Sequence, residues 1–219
     1  MQQEVLAAPR IERAQAPEAP PEGELEALRF AAVQRGLAQA ICRHLVDAPM
    51  HRPAVLPGLA LVRVDNPTGP ICGVYEPSLA LVVQGAKRVM LGSETFVYDT
   101  HHFLITSLNL PTVTYVLDAS TEKPFMSLVM SLDLQEINRL VLEGRLPPVP
   151  TGTGERAMAI GRVRWPLLRA VQRLVDLLDE PDSIPVVAPL VQREILYWLL
   201  VSDEGERLRR IGVAGGQSQ

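Results

Sequence analysis

The stretch YEPSLALVVQGAKRVMLGSETFVYDTHHFLITS, residues 75–107, decides the fold. It is built of short apolar runs separated by turn residues, and runs of the same kind extend over residues 57–132. We count about eight of them, and short strands with a turn signal every 8–12 residues or so are typical of a small all-β barrel or sandwich. The sequence therefore predicts such a β-region in the middle of the chain.

One hairpin can be placed within this stretch. A two-residue Gly-Ser loop separates the runs 87–91 and 94–99. A glycine in the first position of such a loop is the signature of a type II′ turn, and strands joined this closely are antiparallel. Lys87 and Arg88 on this hairpin are expected to form a solvated face that protects the sheet edge.

The sequence on either side of the β-region has a helical pattern. Residues 24–48 carry apolar side chains at three- to five-residue steps, which predicts an N-terminal helix. A barrel is expected over 53–133, and helical patterns return over 134–211. Residues 1–23 are predicted to be a disordered tail and 212–219 a linker. The expected fold is α+β, mainly β: a small antiparallel β-barrel flanked by an N-terminal helix and a C-terminal helical segment.

Composition restricts the function. The chain has 219 residues and a formal net charge of −4. Contacts to phosphates need clustered Lys and Arg, so this acidic balance argues against direct nucleic-acid binding by these residues. No apolar run reaches the 18 or more residues of a transmembrane helix, and the N-terminus lacks the pattern of a signal peptide. We therefore predict a cytoplasmic protein without membrane contact.

Histidines are too few to predict a metal site. The four are His44, His51, His101 and His102. Adjacent strand residues point to opposite faces, so at most one of the last two faces the barrel interior. The sequence contains no nucleophile elbow, phosphate-binding loop or dinucleotide fingerprint. We predict no catalytic residue, no metal and no cofactor.

Polar and aromatic residues of the β-region are candidates for a ligand pocket. An aromatic ring with a polar tip suits a small molecule, which favours Tyr75, Tyr98, His102 and Tyr115 as pocket residues. Glu76 is the candidate to hydrogen-bond the same ligand. The alternatives stay open, because half-buried tyrosines are commoner in a core than in a pocket and Glu76 also fits a turn that caps a loop.

A stripe of apolar residues follows the β-region. Its members recur at steps of one and three residues, as on a helix of coiled-coil character. The stripe is either the face that packs against the barrel within one chain or a two-fold dimer seam between two chains. Its members are Leu167, Leu168, Val171, Leu174, Val175 and Leu178.

Several motifs, in the order in which they occur, resemble the N-terminal sensing domain of AraC/XylS-type transcriptional regulators. The resemblance covers roughly residues 25–219. Its most specific pieces are PGL (57–59), YEPSL (75–79), VVQGAKRV (82–89), YDTHH (98–102) and IPVVAPLVQREILY (184–197). The final GGQSQ (215–219) resembles the family's linker to its DNA-binding region.

This resemblance implies a cupin-like, effector-sensing barrel followed by helices that mediate homodimerisation. It also implies a DNA-binding region with two helix-turn-helix motifs, expected beyond residue 219 and absent from this chain. The expected partners are a small-molecule effector, a second copy of the chain and, through that further region, DNA.

The leading hypothesis is the effector-sensing and dimerisation domain of a transcriptional regulator, and not an enzyme. Two alternatives remain. One is a stand-alone cupin-type metal-dependent enzyme, and the other is a dimerisation module whose barrel is filled by side chains and takes no ligand.

Overall fold

The computed structural model describes residues 22–45, 51–53, 56–144, 146–147 and 157–216. Within these residues the chain forms strands and α-helices in a mixed order. The strands are β1 His51–Pro53, β2 Leu59–Val64, β3 Ile71–Tyr75, β4 Ser78–Gln84, β5 Ala86–Leu91, β6 Glu94–Asp99, β7 His102–Thr106, β8 Leu110–Asp118, β9 Phe125–Ser131 and β10 Met158–Arg162. The helices are α1 Glu22–His44, α2 Leu134–Glu143, α3 Trp165–Asp176, α4 Ile184–Leu200 and α5 Gly205–Gly216.

The strands form two antiparallel sheets. The large sheet has the order β1-β2-β9-β4-β7-β10, and the small sheet has the order β3-β8-β5-β6. Strands β2 to β9 fall in the region for which the sequence predicts about eight. The predicted α+β fold, with antiparallel strands and flanking helices, is confirmed.

The predicted hairpin lies between β5 and β6. The two strands end at the pair Leu91–Glu94, which leaves the Gly-Ser loop. Gly92 has a φ of +58°, and no described residue other than glycine has a positive φ. A type II′ turn has a positive φ at its first central residue, here Gly92, and not at its second, here Ser93. The loop sets the register of the strands, so that Lys87 lies opposite Tyr98.

Two apolar cores hold the layers together. The first lies between the large sheet and the helices, and the second, here called the intersheet core, lies between the two sheets. Successive residues of a strand alternate between these cores, so that Leu79 and Leu81 face the helices whereas Ala80 and Val82 face the small sheet. The buried residues of the intersheet core are Val64, Ala80, Val82, Val89, Tyr98, Leu104, Val116, Phe125 and Met158.

A strand interrupts the segment that the sequence predicts to be helical. Residues Met158–Arg162 pair with β7 and extend the large sheet by one edge strand. Of the five residues MAIGR only Ile160 is β-branched, so the local sequence carries a weak strand signal. The open edge of β7, which this strand covers, is a tertiary feature that local sequence does not reveal.

Helix ends also differ from the prediction. α1 begins at Glu22, inside the predicted tail, and ends at His44. α5 continues to Gly216, inside the predicted linker. Helix propensity is a weak preference that packing overrides, and α5 packs against α2 and α4. Residues 1–21 and 217–219 lie outside the described residues.

Among the described helices, none is long and apolar enough to cross a membrane.

Candidate functional site

The hairpin register brings a lysine to the inner face of the small sheet. Lys87 on β5 lies opposite Tyr98 on β6 and Val116 on β8. Directly opposite residues of neighbouring strands project from the same face of a sheet. Tyr98 and Val116 belong to the intersheet core. Lys87 therefore projects toward the space between the sheets, where it is only partly exposed.

Tyr75 and Lys87 are in contact inside this space. The Lys87 Nζ atom lies 5.4 Å from the centre of the Tyr75 ring, within the range of a cation–π interaction. Tyr75 comes from β3, at the other edge of the small sheet from β6. Side chains from three strands thus converge, and we call Tyr75, Lys87 and Tyr98 the intersheet site.

Tyr98 has a phenol without a hydrogen-bond partner among the described residues. Only 2% of the residue is exposed, and its Oη atom meets no donor or acceptor there. Burial and, to a lesser degree, the neighbouring Tyr75 raise the pKa of Tyr98 well above its ordinary value, so the phenol stays protonated. A buried hydroxyl left unpaired costs about 1–3 kcal/mol. The Tyr98 hydroxyl is therefore available to a bound molecule or an ordered water.

Two threonines add hydroxyl groups to the same face. Thr114 lies opposite Val89 and Ile71, Thr112 lies two residues earlier on β8, and both threonines are buried. The Thr114 hydroxyl donates to the carbonyl of Ile71 and the Thr112 hydroxyl to the carbonyl of Gly73, each over a long 3.5 Å. Such long bonds are weak, so both hydroxyls remain suited to a ligand.

An Asp–His pair flanks the turn from β6 to β7, one residue after Tyr98. The Asp99 Oδ1 atom lies 2.8 Å from Nδ1 of His102, and it accepts the backbone N–H of His101 at 3.0 Å. Partial burial raises the pKa of Asp99, but these hydrogen bonds and the nearby histidines outweigh it, and the pKa lies below its usual value. His102, a predicted pocket residue, is thus held by Asp99 at a partly exposed position.

Helix α1 packs against this turn. The Gln34 Nε2 atom donates to the carbonyl of Thr100 over 2.6 Å. The Phe30 ring stacks on His101 with their centroids 5.8 Å apart. Helix α1 in turn contacts α3. The turn that follows Tyr98 is thereby connected through α1 to the helical layer.

Two predicted pocket residues lie elsewhere. Tyr115 is on the outer face of the small sheet, because it lies opposite Arg88, whose guanidinium carbon is 5.9 Å from the Tyr115 ring centre. The register that sends Lys87 inward sends its neighbour Arg88 outward. Glu76 has an exposed side chain, and its backbone carbonyl accepts the hydroxyl of Ser78 at 2.8 Å. Glu76 therefore occupies a turn and is separate from the intersheet site.

The predicted dimer stripe packs inside the chain. Its members belong to the core between the large sheet and the helices, where all but Leu178 are buried and Leu178 is partly buried. Covered side chains present no surface to a second chain. In this structure the stripe therefore packs against the core of its own chain, which is the first of the two alternatives. The buried members are Leu167, Leu168, Val171, Leu174 and Val175.

Helix α4 carries an exposed apolar face instead. Val186 is 71% exposed and Leu190 is 65% exposed, one helical turn apart, and Tyr197 follows two turns later at 42%. We call these three side chains the α4 face. Arg193 lies on the same side of the helix, between Leu190 and Tyr197, and forms salt bridges with two glutamates of α2.

Within the described ranges, no three His, Cys, Asp or Glu side chains are grouped so that they could hold a metal ion. Lys87 was expected on a solvated face of the hairpin, but it lies on the inner face and is the charged member of the intersheet site. The signal that identifies it is the two-residue loop, which by counting back from Leu91–Glu94 pairs Lys87 with Tyr98.

Comparison with known proteins finds one family and several solved structures. The family model described as AraC-type transcriptional regulator N-terminus matches residues 55–207. Apo ToxT from Vibrio cholerae strain SCE256 is 7% identical, with a TM-score of 0.49 over 76% of this chain and 67% of that chain. The AraC-like transcriptional activator CuxR is 11% identical, with a TM-score of 0.38 over 83% of this chain and 76% of that chain. A cupin-2 domain protein from Shewanella frigidimarina is 8% identical, with a TM-score of 0.25 over 34% and 69%. No curated protein matches the sequence.

Proposed function

Because this chain belongs to the family of AraC-type transcriptional regulator N-terminal domains, we propose that it senses a small-molecule effector between its two sheets and thereby controls a transcriptional regulator. The observation that carries the proposal is the buried Tyr98 phenol, which has no hydrogen-bond partner among the described residues. Lys87 and Tyr75 lie beside it and supply a positive charge and a second phenol. The role is one of binding, and no catalytic step is part of it.

The effector that fits this site is a small hydroxylated organic acid. The ammonium of Lys87 suits an anionic oxygen, since hydrogen bonds to a charged partner are shorter and stronger than neutral ones. The Tyr98 phenol donates a further hydrogen bond. The hydroxyls of Thr112 and Thr114 suit the hydroxyl groups of the ligand. A neutral apolar molecule would leave the Lys87 charge and the Tyr98 hydroxyl unpaired at a cost.

The bound effector acts on the helical layer through the turn after Tyr98. A ligand at Tyr98 favours one placement of residues 99–102, and α1 holds that turn through Gln34 and Phe30. Helix α1 contacts α3, so the placement of the turn influences how the helices are arranged. The effector switches the protein only to the extent that it binds the two arrangements differently.

Dimerisation uses the α4 face in this proposal. Large apolar side chains on one side of a helix mark an interaction surface. Self-association by a two-fold axis brings the same patch of two copies together, and Val186, Leu190 and Tyr197 form such a self-complementary stripe. The formal net charge of −4 does not favour contacts to DNA phosphates, so in this proposal a separate part of the regulator binds DNA.

Thermal unfolding in the presence of small acids tests the effector proposal. The full chain is heated with hydroxylated carboxylates and, in parallel, with the corresponding neutral amides. A ligand at 100 times its Kd stabilises the folded state by about 2.7 kcal/mol, which raises the Tm measurably. We expect at least one acid to do so and its amide to have a much smaller effect. Equal shifts with acids and amides, or no shift with any acid, would overturn the proposed chemistry.

A further inference from the structure

Helix α5 has a sequence that is poor for a helix, yet the helix is formed in the structure. Its 12 residues, GERLRRIGVAGG, include the glycines 205, 212, 215 and 216. A glycine inside a helix weakens it relative to alanine, and a helix of this length is marginal in water even with strong helix formers. Helix α5 therefore depends on the surfaces that it packs against, which belong to α2 and α4.

The corner between α4 and α5 has no room for a side chain. A Cβ atom built on Gly205 would collide with the carbonyl oxygens of Leu199 and Leu200, which are the last two residues of α4. The Ser202 hydroxyl, within the corner, donates to the Leu199 carbonyl over 2.7 Å. Helix α5 thus begins directly against the C-terminal end of α4.

A buried arginine joins the two helices. Arg209 is 5% exposed, and its Nη1 atom donates to the carbonyl of Leu200. The C-terminal end of a helix carries a partial negative charge, which favours a cation there. Leu208 precedes Arg209 and belongs to the core between the large sheet and the helices. Among residues 206–210, these two are the buried side chains.

The burial of Arg209 is incompletely compensated. Its Nε atom is buried and has no hydrogen-bond partner among the described residues. Burial lowers the pKa of Arg209, although Glu206 acts in the opposite direction, because the guanidinium has lost part of its hydration. A buried donor without an acceptor opposes the docked arrangement. Release of α5 returns this donor to water.

The outer side of the same corner is held weakly. Arg164 and Asp203 form a salt bridge of 2.9 Å, but both side chains are exposed, and exposed pairs contribute little to stability. Glu204 lies over β10, since a Cβ atom built on Gly161 would be 3.0 Å from its Cγ atom. These contacts place the corner against the edge of the large sheet, but they do not replace the buried contacts of Leu208 and Arg209.

We propose that α5 is a releasable helix, which docks on α2 and α4 while Arg209 caps the end of α4 and becomes a flexible segment when that contact breaks. The linker expected from residue 212 onward and the helix observed up to Gly216 are then two states of one segment. Exchange between order and disorder of a segment is a known way for proteins to switch. The device goes beyond the sensing role of the intersheet site, since it needs no ligand there.

Hydrogen exchange of the full chain, followed by mass spectrometry, tests this proposal. In the wild type, the amides of α5 should be protected relative to an unfolded chain but should exchange at least about tenfold faster than those of α4. Release exposes little surface, so a low concentration of urea should accelerate exchange in the sheets more than in α5. This comparison uses the unsubstituted chain and therefore holds even where a variant does not fold.

Variants test the two contacts of the corner. R209A removes the guanidinium from the end of α4, and G205A places a methyl group against the carbonyls there. Each should accelerate exchange in α5 at least about tenfold and leave the sheets at wild-type rates. R210A is the matched control, because Arg210 is partly exposed and pairs with Glu206 within α5. Its effect on α5 should be much smaller than that of R209A.

Exchange in α5 as slow as in α4 of the wild type would overturn the proposal, because α5 would then open only together with the core. Unchanged exchange of α5 in R209A and G205A would do the same, and so would an equal effect of R210A. None of these results bears on the intersheet site, since that proposal is tested with hydroxylated acids and their amides.

Discussion

The Lys87 ammonium lies 5.4 Å from the centre of the Tyr75 ring, in the space between the two sheets. An ammonium group in that position needs a partner, and a ring face supplies only about 0.5–2 kcal/mol of attraction. An anionic ligand offers more, since it satisfies the charge directly. The contact between Lys87 and Tyr75 therefore supports the proposed effector site and its proposed preference for an acid group.

Replacing Tyr98 by phenylalanine should leave the fold intact and weaken effector binding. The Tyr98 hydroxyl has no hydrogen-bond partner among the described residues, so its removal leaves nothing unpaired. We expect the free energy of unfolding of Y98F to be unchanged or to rise by up to about 1 kcal/mol. Urea unfolding measures this. A loss of more than about 1 kcal/mol would mean that the hydroxyl is already paired in the free protein.

Alkaline titration should distinguish Tyr98 from the other tyrosines. Burial and the nearby Tyr75 raise the pKa of Tyr98 in the folded protein above the ordinary value of about 10. A group with a raised folded pKa contributes stability below its unfolded pKa, and that contribution is lost as the pH rises toward the folded pKa. Above about pH 10 the wild-type chain should therefore lose stability more steeply than Y98F. Parallel unfolding curves of the two proteins over this range would contradict the burial of the phenol.

Leu174 and Leu190 should respond to truncation in opposite ways. Leu174 is 1% exposed in the core, so L174A should cost about 2–5 kcal/mol in the free energy of unfolding. Leu190 lies on the α4 face, and L190A should change the stability of the isolated chain by about 0.5 kcal/mol or less. Urea unfolding at low protein concentration measures both. A small effect of L174A would restore the α3 stripe as a candidate dimer seam.

A charge on the α4 face should separate the proposed dimer. L190E places a carboxylate at the centre of the stripe formed by Val186, Leu190 and Tyr197, where two copies would bring like charges together. V97E is the matched control, because Val97 is 51% exposed on the small sheet, away from α4. Sedimentation equilibrium should give a dimer for the wild type and V97E and a monomer for L190E. A dimer that survives in L190E would exclude the α4 face as the interface.

Local sequence patterns account for most of the β-region. The short apolar runs and the Gly-Ser loop at 92–93 depend on residues close together in the chain, so strand positions and the hairpin follow from them. Strand β10 does not, because its five residues acquire their role only from the open edge of β7. The same holds for α5, whose glycines predict a linker but which packs against α2 and α4.

The candidate site was harder to predict than the fold, because it depends on which face each residue takes. Tyr75 and Tyr98 follow from residue type alone. Tyr115 meets the same criterion but projects from the outer face of the small sheet beside Arg88, and residue type does not reveal this. Lys87 could have been identified from the hairpin register, which pairs it with Tyr98. The α3 stripe shows the corresponding limit for helices, because an apolar face has the same pattern whether its own chain or another covers it.

The most direct test of an effector site between the sheets is the dissociation constant of the best-stabilising hydroxylated acid, measured by calorimetric titration of the wild type, K87M and R88M. Lys87 and Arg88 are adjacent residues of one strand that face opposite sides of the small sheet. We expect K87M to weaken binding at least about tenfold and R88M to bind like the wild type. Equal affinities for all three proteins, or a loss confined to R88M, would contradict it.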